Sequence, residues 1–420
     1  MKLIVIVTEY PKATETFIYR DLLKFAEMGA EIELHHLAPF RSGTRLHAFA
    51  APTRAWARYT PFVGLAAMGA LARAVLRHPL RLARIVCEIL LACRREPKLC
   101  LKSLALVPKA LAMARRAGRV GADHVHAEFA GHPATVAWVM HRFGGPSYSV
   151  SCRAHDIFRT QSLLDRKLAE AAAVRTVSDF GRRFLRERVP ALGGREIEVI
   201  HSSVDLDAVG APPAAAQGQF RILFVGALEA KKGVEHLLSA LALAGHRLGE
   251  WTCELVGEGP LRGELQRQAG ELGIAGRVRF LGALDFDSVR EAYGRASLCV
   301  APSVIGPGGR QEGIPNVMIE ALAFERPAIS TRISGIPELI QSGVNGLLVP
   351  PGDSQALAEA ILQIRSDPTS AAAMAARGRE TVARHFDLAV NARRQLRMFE
   401  ACVTPTAALP QPQPAQAMSA

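Results

Sequence analysis

A chain of 420 residues has room for two or three domains of ~150 residues each, and its 49% hydrophobic, 21% charged and 6% aromatic residues make a globular composition. That excludes a small cross-linked scaffold, a collagen-like or low-complexity protein and wholesale disorder; only residues 403–420, rich in Pro and Ala, read as a disordered tail. The formal net charge of +12 admits a polyanion, an anionic membrane or a phosphorylated substrate as partner.

Residues 3–7 are a continuous apolar run behind a single Lys, too short for a signal-peptide core, and read as a first strand. Over residues 14–28, Phe17, Ile18, Leu22 and Phe25 recur at helical spacing up to Gly29, and residues 32–37 read as the next strand. Strand, helix, strand is a βαβ unit. Its right-handed crossover puts loop 8–13 at the carboxyl edge of a parallel sheet, where such sheets bind ligands.

Residues 54–119 carry 14 Lys and Arg against Glu88 and Glu96, which is the chain's whole surplus of 12. Pro61, Pro79, Pro97 and Pro108 divide this stretch into several helices, and Arg73, Arg77, Arg81 and Arg84 form one stripe if Pro79 only kinks its helix. Leu, Ala, Val and Ile stand between the basic residues instead of stacking aromatics, which argues against a nucleic acid and for a lipid surface. Each Lys or Arg near an anionic leaflet contributes ~1 kcal/mol. The stretch therefore reads either as a membrane-facing patch or as an ordinary helical subdomain with solvated arginines over apolar neighbours. The uncharged run 61–72 stops at Arg73 after 12 residues, short of the ~20 that cross a bilayer, so any membrane contact is expected to be peripheral.

Residues 124–127 and 147–151 read as short strands, 171–177 as a helix end running into a strand and 196–200 as another strand, closing a first domain at 1–205. A linker with Pro212 and Pro213 leads into residues 221–226, a second strand of the first type, and the alternation restarts. Strand-like runs at 252–256, 277–281, 297–301, 327–330 and 346–349 alternate with helical segments, giving a second α/β domain at 206–385. A last helix over 386–402 is a candidate to cross back to the first domain. Seven cysteines, an odd number without a CxxC pair, fit a reducing compartment such as the cytoplasm.

The densest chemistry lies at 312–320, where Glu312 and Glu320 flank Gly313 and Pro315 eight residues apart. On one helix, eight residues turn about 800° and misalign the acids by about 80°. Pro315 suits a first helical position, so Glu312 belongs to the preceding loop and both acids can face one polyol. Backbone N–H groups from Gly313 to Asn316 at that helix start suit phosphate or sugar oxygens. The alternative is a turn cap at Glu312 and a surface ion pair at Glu320. After the strand ending at Gly226, Lys231 and Lys232 can meet a diphosphate or be solvated surface, and Gly257 and Gly259 by themselves mark only a tight loop.

These segments, RILFVGALEAKKG (221–233), LVGEGP (255–260), VRFLG (278–282), EGIPNVMIEALAFERPAISTRISGIPELI (312–340) and SGVNGLLVPPGD (342–353), resemble the nucleotide-sugar domain of retaining family 4 glycosyltransferases of the GT-B fold. YPKATETFI (10–18), HAEFAGHPATVAW (126–138), AHDIF (154–158) and HSSVD (201–205) resemble, more faintly, the first domain of exopolysaccharide-assembling enzymes. The resemblance implies two Rossmann-like domains facing a cleft. It further implies that Glu320 holds the donor ribose, Glu312 contacts the transferred sugar, Lys232 neutralises the diphosphate, and backbone from Ile314 to Val317 binds sugar and phosphate oxygens. His155 is placed beside the transferred sugar with Asp156 orienting it, and Thr14 and Glu15 open a helix toward the diphosphate or the acceptor. His126 reads instead as a core residue of a buried strand.

Two departures accompany the match. Ala227 stands where the family usually has Arg after the glycine, a loss that either lowers activity or is offset by Lys231 or Arg310, and Ser203 replaces a common turn glycine. No cluster of Cys, His and carboxylates has metal-ligand spacing, so neither metal nor cofactor is expected beyond the nucleotide-sugar co-substrate. The expected partners are that donor, a saccharide or lipid-linked saccharide acceptor and an anionic membrane surface. A nucleotide-sugar epimerase or hydrolase, and a weakly catalytic binding scaffold at the membrane, are the competing readings.

Overall fold

A computed structural model describes residues 1–12, 15–40, 47–153, 156–157, 162–211 and 218–403. The expected tail from residue 404 onward and the Pro212–Pro213 linker lie outside them. Among the described residues thirteen strands build two parallel sheets, the two Rossmann-like layers expected from the alternation of apolar runs and amphipathic helices.

The first sheet has the order β3-β2-β1-β4-β5-β6-β7, with β1 Lys2–Val7, β2 Glu31–His36, β3 Ala57–Tyr59, β4 His124–Glu128, β5 Ser147–Cys152, β6 Ala173–Thr176 and β7 Glu198–Val199. β1 is central, pairing Val5 with Leu34 on one side and with His126 on the other. Helices cover both faces, so its apolar run is continuous rather than alternating. The second sheet has the order β10-β9-β8-β11-β12-β13, with β8 Phe220–Val225, β9 Trp251–Val256, β10 Val278–Gly282, β11 Leu298–Ala301, β12 Ala328–Thr331 and β13 Leu347–Val349. In both sheets the winding reverses beside the first strand, between β1 and β4 and between β8 and β11. Doubly wound sheets open a ligand crevice at that reversal.

The helix Thr16–Glu27 buries Ile18, Leu22 and Phe25 against the first sheet. The last helix, Leu388–Val403, packs on this same sheet: Phe399 lies 5.8 Å from Phe25, and Gln395 Oε1 accepts from Arg175 Nη1 at 2.6 Å. Chain crossings between the domains run side by side, because Val204 donates to Phe386 O at 2.9 Å and Leu388 donates to Val204 O at 3.0 Å. His124 and His126 are core residues. Their rings bond Ser147, Ser149 and Ser151 at 2.7–2.9 Å, and burial pushes the pKa of both down, that of His124 to about 3.

Two expectations for the basic stretch are corrected. Residues 57–59 form the edge strand β3 rather than helix, pairing His35 with Arg58 beside β2. Pro79 does not kink one helix. His78 leaves helical geometry (φ −141°, ψ 49°) and Pro79 opens a new helix, so Leu65–Arg77 and Pro79–Ala92 carry separate pairs of arginines. Two more helices, Pro97–Ala105 and Val107–Val120, complete the region. Among the described residues no helix is long and apolar enough to cross a membrane, and all seven cysteines are free thiols.

Candidate functional site

The winding reversal of the second sheet gathers the charged groups. After β8, the chain turns through Ala230–Lys232 into the helix Val234–Ala244; after β11, loop 302–315 leads into the helix Asn316–Ala323. Lys231 Nζ lies 2.7 Å from Glu312 Oε1 and Lys232 Nζ lies 3.2 Å from Oε2, so one carboxylate bridges two ammonium groups. Burial pushes the Glu312 carboxyl up, but the charges of Lys232 and Lys231 and their hydrogen bonds outweigh it and hold the pKa below the ordinary value. Lys231 thus shares the Glu312 carboxylate with Lys232, whereas Arg310 lies exposed on the loop.

Close backbone contacts fix this edge. Gly226 donates to Val256 O at 2.9 Å, Leu228 to Glu258 O at 3.0 Å and Gly257 to Gly282 O at 2.8 Å, joining the loops after β8, β9 and β10. Gly257 has φ +137°, and a Cβ there would fall 1.9 Å from Gly226 O, so only glycine fits. Gly259 packs on the Leu228 backbone, where a Cβ would fall 2.4 Å from Leu228 O. Gly233, at φ +65°, turns the chain after Lys232 directly under Pro302 O, where a Cβ would be 2.1 Å away. Lys231 O accepts the Val304 N–H at 2.9 Å, tying the lysine turn to the loop that carries Glu312.

Pro315 is the residue before the helix (φ −67°, ψ 122°) and Asn316 is the first helical one, a shift of one position from the sequence expectation. An extended Pro315 fits the preference of proline and leaves Gly313 and Ile314 in the approach to the helix start. Ile314 is buried against Gly335, and Val317 offers its carbonyl to the Tyr293 hydroxyl at 3.0 Å.

Glu320 occupies a different environment from Glu312. Its Oε1 pairs with Arg20 Nη1 at 3.3 Å, across the cleft, and its Oε2 accepts the Tyr293 hydroxyl at 3.2 Å. Arg20 lies over the rings of Phe49 and Phe286, 5.6 and 4.9 Å from their centres. A cavity of about 150 Å³ beside this junction is lined by Arg20, Phe49, Phe286, Tyr293, Glu320 and Phe324 among others. The sequence reading omits Arg20, Tyr293, Phe49 and Phe286. Their one local signal is the Arg20–Asp21 pair, charged and buried within an otherwise amphipathic helix.

In the first domain, Thr14 and His155 lie outside the described residues. Glu15 immediately precedes the helix Thr16–Glu27 and pairs with Lys12 at 2.7 Å; burial raises its pKa. Asp156 turns its carboxylate to backbone, accepting the Arg153 N–H at 2.8 Å and the Ala130 N–H, and desolvation pushes its pKa up to about 7. It fastens the turn after β4 to the turn after β5. Neighbouring Arg153 binds Glu128 Oε2 at 3.1 Å and lies 4.1 Å from the centre of the Phe17 ring. Among the described residues no group of His, Cys, Asp and Glu is arranged to hold a metal ion.

Residues 219–367 match the family described as Glycosyl transferases group 1. The amylovoran biosynthesis glycosyltransferase AmsK of Erwinia amylovora is 33% identical over 144 residues, 34% of this chain and 35% of that one. The phosphatidyl-myo-inositol mannosyltransferase of Mycobacterium leprae is 33% identical over 233 residues, 54% of this chain and 59% of that one. The chain thus spans less than two thirds of either relative. Anabaena HepE in complex with UDP superposes with a TM-score of 0.70 at 18% identity over 95% of this chain and 99% of its own length. The matched residues 219–367 form the second half of a two-sheet GT-B fold.

Proposed function

We propose that the chain is a retaining, metal-independent glycosyltransferase, moving a sugar from a nucleoside-diphosphate donor to a saccharide or lipid-linked saccharide in exopolysaccharide or cell-envelope glycan assembly. The observation that carries this reading is the Glu312 carboxylate bridging Lys231 and Lys232 at the winding reversal of a group 1 domain. The donor diphosphate takes over the two ammonium groups, and Glu312, released from them, turns to the sugar. Glu320 accepts the ribose hydroxyls. Backbone N–H groups from Gly313 to Val317 take sugar and phosphate oxygens at the start of the helix Asn316–Ala323.

In the transfer step the bond between the anomeric carbon and the diphosphate oxygen breaks, and the acceptor oxygen bonds the same carbon on the same face. The acceptor proton passes to the departing phosphate. Charge developing on the leaving group is met by Lys231 and Lys232 with no cofactor or cation required; oriented groups of this kind are worth about 3–4 kcal/mol each. Thr14 and Glu15 serve the diphosphate or the acceptor, His155 serves the transferred sugar, and Asp156 acts through the backbone turns that it fastens. AmsK and the mannosyltransferase, named for amylovoran and phosphatidyl-myo-inositol, support an extended glycan or lipid-linked acceptor.

The basic helices hold the protein at the inner face of an anionic membrane from the cytoplasm. Leu65, Leu76 and Leu80 are 97%, 82% and 85% exposed beside Arg73, Arg77, Arg81 and Arg84, a mixture of apolar and cationic groups that suits a lipid headgroup layer.

Turnover of UDP-, GDP- and ADP-sugars, with vesicles carrying lipid-linked saccharides, tests the reading. The expected result is release of one nucleoside diphosphate by the native chain and its loss in Glu320→Ala. Tight binding without turnover would favour the second reading, a nucleotide-sugar-binding scaffold, for which Ala227 speaks.

A further inference from the structure

The junction around Glu320 is built from both domains. Arg20 comes from the first helix of the first domain, is 8% exposed, and reaches Glu320 at a sequence distance of 300 residues. Its guanidinium lies over both Phe49 of the first domain and Phe286 of the second, 5.6 and 4.9 Å from their ring centres, and these two rings meet each other at 5.5 Å. Cation–π contact with two aromatic rings confines the guanidinium, and its planar fork then limits where its N–H groups point. The Tyr293 hydroxyl lies 3.2 Å from the other oxygen of the same carboxylate and 3.0 Å from Val317 O, and its single proton is shared between these two acceptors.

A carboxylate offers two oxygens with about two acceptor directions each. Arg20 takes one direction on Oε1 and Tyr293 one on Oε2, which leaves one on each oxygen. A pair of neighbouring hydroxyls needs that number, on two adjacent oxygens of one rigid plane. We propose that Arg20 is a positioning residue that turns Glu320 into a reader of the 2′,3′-diol of the donor ribose. Because Arg20 belongs to the opposite domain, the reader is complete only when the cleft is closed. The inference rests on the assignment of Glu320 to the ribose and adds what orients it and from which side.

Calorimetric titration of the full chain with UDP, GDP and ADP, and with the 2′-deoxy form of whichever binds tightest, separates the two claims. The native chain should prefer the ribonucleotide about tenfold, the loss of one good hydrogen bond to a charged group. Glu320→Ala should abolish the preference, Arg20→Met should reduce it to about twofold or less, and Arg20→Lys, with charge but no planar fork, should fall between them. Tyr293→Phe should shrink it in the same direction. A merely structural contact would change the affinity for both nucleotides equally and leave their ratio alone, so Arg20→Met with the native ratio overturns the inference. A native ratio in Glu320→Ala overturns the ribose assignment, whatever Arg20 does, and no preference in the native chain overturns both. If Arg20→Met melts early, the Arg20→Lys ratio decides by itself.

Discussion

Glu338 of the second domain accepts the Asp179 N–H at 2.7 Å and the Phe180 N–H at 2.8 Å, so an acid of one domain caps a helix of the other. The helix Asp179–Arg188 has its own cap in Ser178, whose hydroxyl accepts the Gly181 N–H at 3.0 Å. Between them the two residues satisfy three of the N–H groups that a helix start leaves open. Together with the Arg20–Glu320 pair, this contact holds the cleft closed from a second side.

Removing the Glu338 carboxylate should therefore loosen closure without dismantling either sheet. A negative charge at a helix start is worth about 0.3–1 kcal/mol, and up to about 2 when partly buried. Glu338→Ala is expected to raise the donor KM several-fold and to enlarge the radius of gyration in solution scattering, with Glu338→Gln intermediate. An unchanged radius and KM would mean that the cap does not hold the domains together.

The lysine pair makes a second prediction. Both ammonium groups touch Glu312, so neither alone carries the full charge facing a diphosphate. Lys232→Ala and Lys231→Ala should each lower kcat by about 10²–10³-fold, the usual cost of losing one oriented group at a developing negative charge. If Lys231 stands in for the absent arginine, Ala227→Arg should partly restore kcat in Lys231→Ala. No rescue would show that position 227 does not face the same charge.

Acid should loosen the basic helices from the first sheet. Glu33 on β2 bonds His35 at 3.1 Å and is clasped by Arg116 at 2.9 and 3.0 Å from the helix Val107–Val120. Its pKa is held down to about 2, first by the His35 bond and then by Arg116, against 4.5 for the free group. A depressed carboxyl contributes stability above its unfolded pKa and loses it as the pH falls through the folded one. Thermal melts should show a loss from about pH 4.5 toward 2 in the native chain that is smaller in Glu33→Gln. Parallel slopes would place the acid sensitivity elsewhere.

Vesicle flotation addresses the exposed leucines. The native chain should float with anionic vesicles and remain below neutral ones, and the association should weaken with salt. Replacing Leu65, Leu76 and Leu80 with Ser should reduce flotation without altering the salt dependence, while replacing Arg73, Arg77, Arg81 and Arg84 with Gln should remove that dependence. Equal flotation with neutral and anionic vesicles would contradict the charged-surface account.

The strands were the most legible feature of the sequence, because residues buried on both faces of a parallel sheet form unbroken apolar runs such as residues 3–7 in β1 and 222–225 in β8. The approach of Glu312 to the lysines could be suspected from spacing, since the loops after β8 and β11 meet wherever a doubly wound sheet reverses. The Arg20–Glu320 contact was not legible. It joins residues 300 positions apart through a domain arrangement that no local pattern encodes. The edge strand β3 was missed for a related reason: three residues within a basic, helix-rich stretch gain strand geometry only by pairing with β2. At His78, the break was signalled by Pro79, but whether proline kinks or ends a helix depends on packing.

The central claim is that the bridge from Lys231 through Glu312 to Lys232 is where the sugar is transferred. The most direct test is single-turnover transfer by Glu312→Gln, measured beside its affinity for the nucleoside diphosphate. Freed of their counter-charge, the two lysines should bind the diphosphate at least as tightly as in the native chain, while the transfer rate falls by about 10²-fold or more. A transfer rate within about twofold of the native one, with nucleotide binding intact, would contradict the account and leave Glu312 as an ordinary partner for two surface lysines.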